Sequence, residues 1–394
     1  MRAVEPNHVR PVWAEISATR LATNYRHTRA AAGMELLAVV KADAYGHGAE
    51  LCAPVLAGSG AAWLGVTSVE EGVRVKASLG MLPSFLQPRI LVMCGVWNGE
   101  AAVAVEHRLT PVIWEEYQLR LLEDAARARN LAPKSFPVHV EVDTGMARQG
   151  VADLAAFAAL IAEDSPLRIE SAMTHLGSTE EAGSPLNREQ MDRFAAQVKA
   201  SGLRLDWIHA GNTSGVDAGE ILSQIKEIAA DCGAQPMTRS GLALYGYALE
   251  LSGAPPHIRQ TLQPVMSWKT RILSLRDVPA GATVGYNATF TAPAPMRLAL
   301  IPVGYADGLR RELSNRGRVL LHETHAPIVH APIVGRVSMD LTVIDVTHIP
   351  GAAIGDEVTL IGDGVPVEEQ AAIAGTIPYE ILCGISDRVM RILV

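Results

Sequence analysis

Several side chains that can move protons or hold anions stand at the ends of apolar runs. Lys41 follows LLAVV and enters a glycine-rich turn in AVVKADAYGHG. Arg148 lies in DTGMARQG, His175 closes SAMTH, Asn212 closes DWIHAGN with Thr213 next to it, and Arg239 lies in MTRSGLALYG two residues before Gly241. A primary amine can bond a carbonyl carbon and, once freed, act as a base. A guanidinium fork matches a carboxylate, and histidine exchanges protons near neutrality. Each also has a plainer use, such as a lysine stem lying along apolar surface or an asparagine closing a turn. Their shared position, at the C-terminal ends of successive apolar runs, argues for one common rim.

The elements that must position them repeat. From Leu36 to Tyr247, short Val- and Ile-rich runs alternate with longer Ala- and Glu-rich segments of helical period, the pattern of βα units. The candidate strands begin at Leu36, Ala61, Arg89, Thr110, Phe136, Arg168, Leu205 and Pro236. Eight units over about 210 residues match an α/β fold of the (β/α)8 TIM-barrel type, whose active sites lie at the C-terminal mouth of the strands. A doubly wound sheet would need a phosphate-binding G-x-G-x-x-G after its first strand, and KADAYGHG is not one. After Pro255 and Pro256 the pattern becomes β-rich, with one helix expected in VPVEEQAAIAGTI. The expected division is 12–255 for the barrel and 256–394 for a mostly β domain, with residues 1–11 packing on the latter. HAPIV at His325–Val329 is repeated at His330–Val334, and only the second copy leads into GRVSMD. The first copy is expected to be a surface-loop duplication.

Composition excludes several classes. The formal charge of −8, with 34 basic and 42 acidic residues and no long basic run, argues against a nucleic-acid partner and for a small-molecule one. Cys52, Cys94, Cys232 and Cys383 lie far apart without a Cys-x-x-Cys pair, against a zinc site or a disulfide framework. No apolar segment has the length of a membrane span or the form of a signal peptide, so a cytoplasmic location is expected.

Ten segments, in order, are similar to the alanine racemase family: PVWAEISATRLATNYRH, AVVKADAYGHG, DTGMARQG, the His175 segment, HAGNTSG, LALYG, VGYNATF, PVGYADG, GRVSMD and TIPYEILCGISDRV. The resemblance implies a homodimer that uses pyridoxal 5'-phosphate to racemise alanine for peptidoglycan. Lys41 resembles the lysine that carries the cofactor covalently, and Arg239 the arginine facing its ring nitrogen. Tyr45, Asn212, Thr213, Gly241 and Tyr379 resemble the phosphate-holding set. Tyr286 in VGYNATF resembles the second base, delivered from the β domain of the partner subunit and contacted by His175. Arg148, the Met339 backbone and Asp340 would hold the substrate carboxylate, while Tyr305 and Tyr379 would narrow the entry to a methyl-sized side chain.

The chain departs from the family pattern at Leu176 and Gly177, at Ser240 where proline is common, and at Glu141, where many members carry a carbamylated lysine. Glu141 and Asp143 share a strand face, so Glu141 is expected to approach Arg148 and supply the negative charge unaided. A racemase for another small amino acid such as serine, or a non-catalytic pyridoxal-phosphate carrier, remains an alternative. A decarboxylase of the same barrel type would set an acid, not Arg239, against the ring nitrogen.

Overall fold

A computed structural model describes residues 10–322 and 329–394. Eight parallel strands close into a barrel: β2 (Glu35–Val39), β3 (Trp63–Val66), β4 (Arg89–Val92), β5 (Thr110–Ile113), β6 (Phe136–Glu141), β7 (Leu167–Met173), β8 (Trp207–Ala210) and β9 (Gln235–Ser240). The ring closes where β9 pairs with β2, from Glu35 opposite Met237 to Ala38 opposite Ser240. Strands covered on both faces read as unbroken apolar runs; Trp63–Val66 and Thr110–Ile113 are buried throughout. Helices return the chain between them. Val69–Ser78, for example, starts where the Ser68 hydroxyl accepts from Glu71 N, satisfying an otherwise orphan donor.

The Trp63 ring on β3 packs tilted against His139 of β6, centroids 5.3 Å apart, and edge-on against Trp207 of β8 at 6.1 Å. Side chains from non-neighbouring strands can meet only inside the ring, so the interior is a packed core and not a pore.

The β domain is built on a six-stranded sheet. Its order is Val329–Pro332, Arg318–His322, Glu357–Ile361, Met266–Arg271, β1 (Val12–Ile16) and Met390–Leu393. A three-stranded sheet of Ser274–Val278, Met296–Ile301 and Thr342–Asp345 and a ribbon of Thr283–Val284 with Phe290–Thr291 complete it. The expected helix is present as Val367–Ala374, with Glu368 and Glu369 in its first turn.

Two boundaries differ from those read in the sequence. Residue 12 was to open the barrel domain, yet Val12–Ile16 pairs with Met266–Thr270 and with Met390–Leu393, inside the β domain. The barrel unit runs to Gln263 instead of residue 255, because Asn24 clasps that end: Asn24 Nδ2 donates to Gln263 O at 2.8 Å and Gln263 N to Asn24 Oδ1 at 3.0 Å. Residues 45–48 group with the β domain. The first HAPIV copy, apart from Val329, lies outside the described residues, as do residues 1–9. Among the described residues the four cysteines form no disulfide, and no helix is long and apolar enough to cross a membrane.

Candidate active site

Lys41, half-buried, leaves the C-terminal end of β2 and opens a left-handed helical turn in which Ala42, Asp43, Ala44 and Tyr45 have φ of +50°, +51°, +55° and +54°. Such backbone costs L-residues about 1–2 kcal/mol each, so it persists only when the surroundings dictate it. They do. Ala42 N donates to Glu71 Oε1 at 2.7 Å and Ala49 N to Asp43 Oδ1 at 2.7 Å, while the other Glu71 oxygen takes Thr67 N at 2.8 Å. The turn ends at Gly46, where φ is +78° and a Cβ would stand 2.2 Å from Leu382 O.

Arg239, near the end of β9, is buried and its donors are assigned. Nη1 bonds His209 Nδ1 at 3.0 Å; Nη2 reaches Thr174 O at 2.8 Å and His175 Nδ1 at 3.3 Å, and Nε–H is used by none of these. A guanidinium only donates, so both Nδ1 atoms accept, and a neutral His175 carries its proton on Nε2. Burial, then the charges of Arg239, Arg148 and Lys41, push His175 down to about 3. Arg239 itself falls to about 10, chiefly through burial.

The loop after β6 is shaped by Asp143, whose Oδ1 accepts from Gly145, Met146 and Ala147 N at 2.9, 3.0 and 3.1 Å. Burial opposes the Asp143 charge, but these three N–H groups outweigh it and lower its pKa. Arg148 emerges from that loop exposed, with no hydrogen bond or ion pair among the described residues. Glu141 does not bond it. Its buried Oε2 accepts from Gln149 Nε2 at 2.5 Å, and Gln149 also donates to Met93 O at 3.1 Å. Burial raises the Glu141 pKa, against the lowering by Gln149, Arg239 and Arg148.

Asn212 caps the helix Thr213–Ala218, its Oδ1 accepting from Gly215 N at 3.0 Å. Thr213 Oγ1 bonds Ser240 Oγ at 2.9 Å and accepts from Ala243 N at 3.2 Å, with Gly241 between those partners in sequence. These side chains build the loop; the N–H groups of the helix's first turn have no intrahelical acceptor. Ser240 thus supplies a hydroxyl partner that a proline could not.

In the β domain, the rings of Tyr45 and Tyr379 lie 5.8 Å apart, and burial raises the Tyr45 phenol well above its ordinary pKa. Tyr286 is 70% exposed at the end of the two-stranded ribbon, in a turn where Gly285, Asn287 and Ala288 all have positive φ. Among the described residues its hydroxyl has no partner. Tyr305 is also exposed, on a turn whose N–H groups at Tyr305 and Ala306 donate to Ser338 O and Met339 O, both at 3.0 Å. Asp340 accepts from Arg388 at 2.7 Å.

The structure therefore gathers Arg239 and His175, with Lys41 and Arg148 near enough to depress His175, at one barrel mouth. It gathers Tyr45 with Tyr379, and Tyr305 with Met339, in the β domain. Sequence reasoning passed over His209, Glu71 and Gln149. His209 had a signal: an ionisable residue inside a four-residue strand that is otherwise apolar or aromatic.

That mouth fits an aldehyde cofactor with a basic ring nitrogen: it offers a primary amine and a buried arginine with an unspent Nε–H. The chain matches the alanine racemase N-terminal domain over residues 16–249 and the C-terminal domain over 265–393. It is 39% identical to an alanine racemase of Syntrophobacter fumaroxidans, covering 95% of each chain, and 36% identical to one of Desulfovibrio desulfuricans, covering 98% of each. Among solved structures, alanine racemase from Streptomyces coelicolor aligns with a TM-score of 0.85 at 31% identity, over 99% of this chain and all of that one. The Bartonella henselae enzyme, described with covalently bound pyridoxal phosphate, aligns with a TM-score of 0.78 at 30% identity over 98% and 99%. With both domains matched in order and the relatives covered nearly end to end, the chain belongs to the alanine racemase family.

Proposed function

We propose that the chain is a homodimeric, pyridoxal-phosphate-dependent enzyme that interconverts L- and D-alanine by two bases, Lys41 and Tyr286 of the partner subunit. The carrying observation is the pairing of Lys41 with the Arg239–His175 contact at one barrel mouth, in a member of this family. When bound, the cofactor draws electron density from the substrate Cα and acidifies its proton. Racemisation then needs a proton taken from one face and returned to the other, hence two groups.

Lys41 Nζ serves one face as base in one direction and acid in the other. Tyr286 Oη serves the opposite face. A phenol is a weak base near neutrality, and His175 supplies the remedy: held neutral with its proton on Nε2, it donates to the phenolate oxygen and stabilises it. Arg239 presents a donor that does not surrender its proton to a ring nitrogen, which leaves the cofactor a restrained electron sink and limits side reactions.

Arg148, without a partner among the described residues, takes the substrate carboxylate as a fork with the Met339 N–H, Asp340 standing beside it. Tyr305 and Tyr379 limit the side chain to a methyl group. Tyr45, Tyr379, Asn212, Thr213 and Gly241 surround the cofactor phosphate through hydroxyls and main-chain N–H groups. The enzyme works in the cytoplasm, and its product, D-alanine, is made for peptidoglycan.

The test is a chiral assay of the purified protein against L- and D-alanine, serine and larger amino acids, with cofactor absorbance read before and after borohydride. Equilibration of alanine in both directions, with cofactor trapped on Lys41, is expected. Trapped cofactor without racemisation of any amino acid would overturn the reading in favour of a carrier.

A further inference from the structure

Behind Arg239 a line of buried polar side chains runs down the barrel interior. Arg239 Nη1 meets His209 Nδ1 at 3.0 Å; His209 Nε2 meets His139 Nδ1 at 3.1 Å; His139 Nε2 meets Glu170 Oε2 at 3.2 Å. Glu170 ends the line in the grip of Arg89, whose Nη1 and Nη2 reach Oε1 and Oε2 at 2.8 and 2.6 Å, and of Arg168 Nη2 at 3.2 Å from Oε1. Both histidines are fully buried and Glu170 nearly so. The line spans four strands, from the mouth end of β9 through β8 and β6 to β7, and its foot is at the first residue of β4.

We propose that Glu170, His139 and His209 form a positioning column that locks the His209 tautomer and thereby fixes which donors Arg239 can present at the barrel mouth. The assignment follows from the two ends. A guanidinium has no acceptor and an ionised carboxylate no donor. Two neutral imidazoles between them have one consistent arrangement: His139 donates from Nε2 to Glu170, His209 donates from Nε2 to His139 Nδ1, and His209 Nδ1 accepts from Arg239.

A second proton on either ring would set two N–H groups face to face within the column. Burial disfavours that proton as well: His139 lies below its ordinary range, chiefly through burial and against the pull of Glu170, and His209 lies well below, through burial and then the charge of Arg239. Glu170 stays ionised, at about 2, because His139 and Arg89 outweigh its own burial. The column therefore holds one proton arrangement across the neutral range. With Nη1 on His209 and Nη2 on Thr174 O and His175, Arg239 cannot rotate without breaking a buried bond, and Nε–H is the donor left over. The inference rests on reading Arg239 as the partner of the cofactor ring nitrogen.

Glu170→Gln tests it sharply. Two arginine donors converge on the Oε1 position and only one on Oε2, so the amide oxygen takes the first and the NH2 faces His139. His139 Nε2 must then accept, both histidines flip to the Nδ1–H tautomer, and His209 confronts Arg239 donor to donor. The measurement is ring 15N NMR of histidine-labelled apoprotein between pH 6 and 9, with His139→Asn and His209→Asn used for assignment. Wild type is expected to show both rings neutral and protonated on Nε2, without titrating; Glu170→Gln is expected to show Nδ1–H at both. A protonated or Nδ1–H His209 in wild type would overturn the column even if no variant folds. In the loaded enzyme, Glu170→Gln is expected to shift the cofactor absorbance band and lower kcat by about 10-fold with the KM for alanine little changed. Flipped tautomers with an unmoved band and kcat would overturn the positioning role. Absence of racemisation in wild type would instead count against the functional reading, leaving the tautomer result standing.

Discussion

Glu141 and Arg148 show what a single position trades. Glu141 is buried against Gln149, and burial holds its pKa above the usual carboxylate range. In the unfolded chain the same carboxyl ionises freely. Its contribution to stability is thus fully present below the unfolded pKa and is lost as pH rises through the folded one. Glu141→Gln keeps an oxygen for Gln149 and removes that cost. The variant should melt above wild type at pH 7–8, with the difference vanishing near pH 4, as thermal denaturation across pH would show. It should also bind substrate less well: with the negative charge gone from the vicinity of Arg148, the KM for alanine should rise about fivefold, roughly 1 kcal/mol. Wild-type activity should be indifferent to bicarbonate. A gain in stability with no change in KM would mean Glu141 serves only Gln149. At the neighbouring residue of consequence, Lys41→Ala should abolish the borohydride-trapped cofactor and racemisation in both directions, with Tm close to wild type.

At the scale of elements, the left-handed turn after β2 is the feature most dependent on its surroundings. Four non-glycine residues are held at positive φ, and Glu71, on the helix Val69–Ser78 beyond β3, binds Ala42 N and Thr67 N with its two oxygens. Glu71→Ala leaves both donors without that carboxylate, a loss of about 1–3 kcal/mol. Lower Tm and weaker retention of cofactor after dialysis are expected together; a lower Tm with unchanged retention would separate the turn from the placement of Lys41. The sequence made part of this legible. Gly46 and Gly48 announce a turn after Lys41, but nothing in Ala42–Tyr45 announces left-handed backbone, since its cause is a glutamate 29 residues further on. The eight barrel strands were legible because both their faces are covered, which leaves apolar runs of strand length. The Glu170 column was not: its members lie on four different strands far apart in sequence, and only the closed ring brings β6, β7, β8 and β9 around one interior.

For the whole molecule, the sequence conveyed two domains and their order but misplaced their edges. Val12–Ile16 alternates buried and half-buried residues as any sheet strand can, and its partners lie about 250 and 380 residues further along the chain, in Met266–Arg271 and Met390–Leu393, beyond any local pattern. The proposed two-base mechanism draws on residues of both units. Lys41, His175 and Arg239 belong to the barrel unit, Tyr286 to the β domain, where its side chain is exposed and without a partner among the described residues. In the proposed two-fold dimer, Tyr286 of one subunit would serve the Lys41 mouth of its partner, so that each mouth would gain a second base. The most direct measurement mixes Lys41→Ala with Tyr286→Phe, each inactive alone, under conditions that exchange subunits, and then assays alanine racemisation. A mixed dimer has one mouth with both bases and one with neither. Random exchange makes half the dimers mixed, so recovery of about a quarter of wild-type activity is expected. No recovered activity, with mixed dimers confirmed by mass, would contradict the two-subunit site.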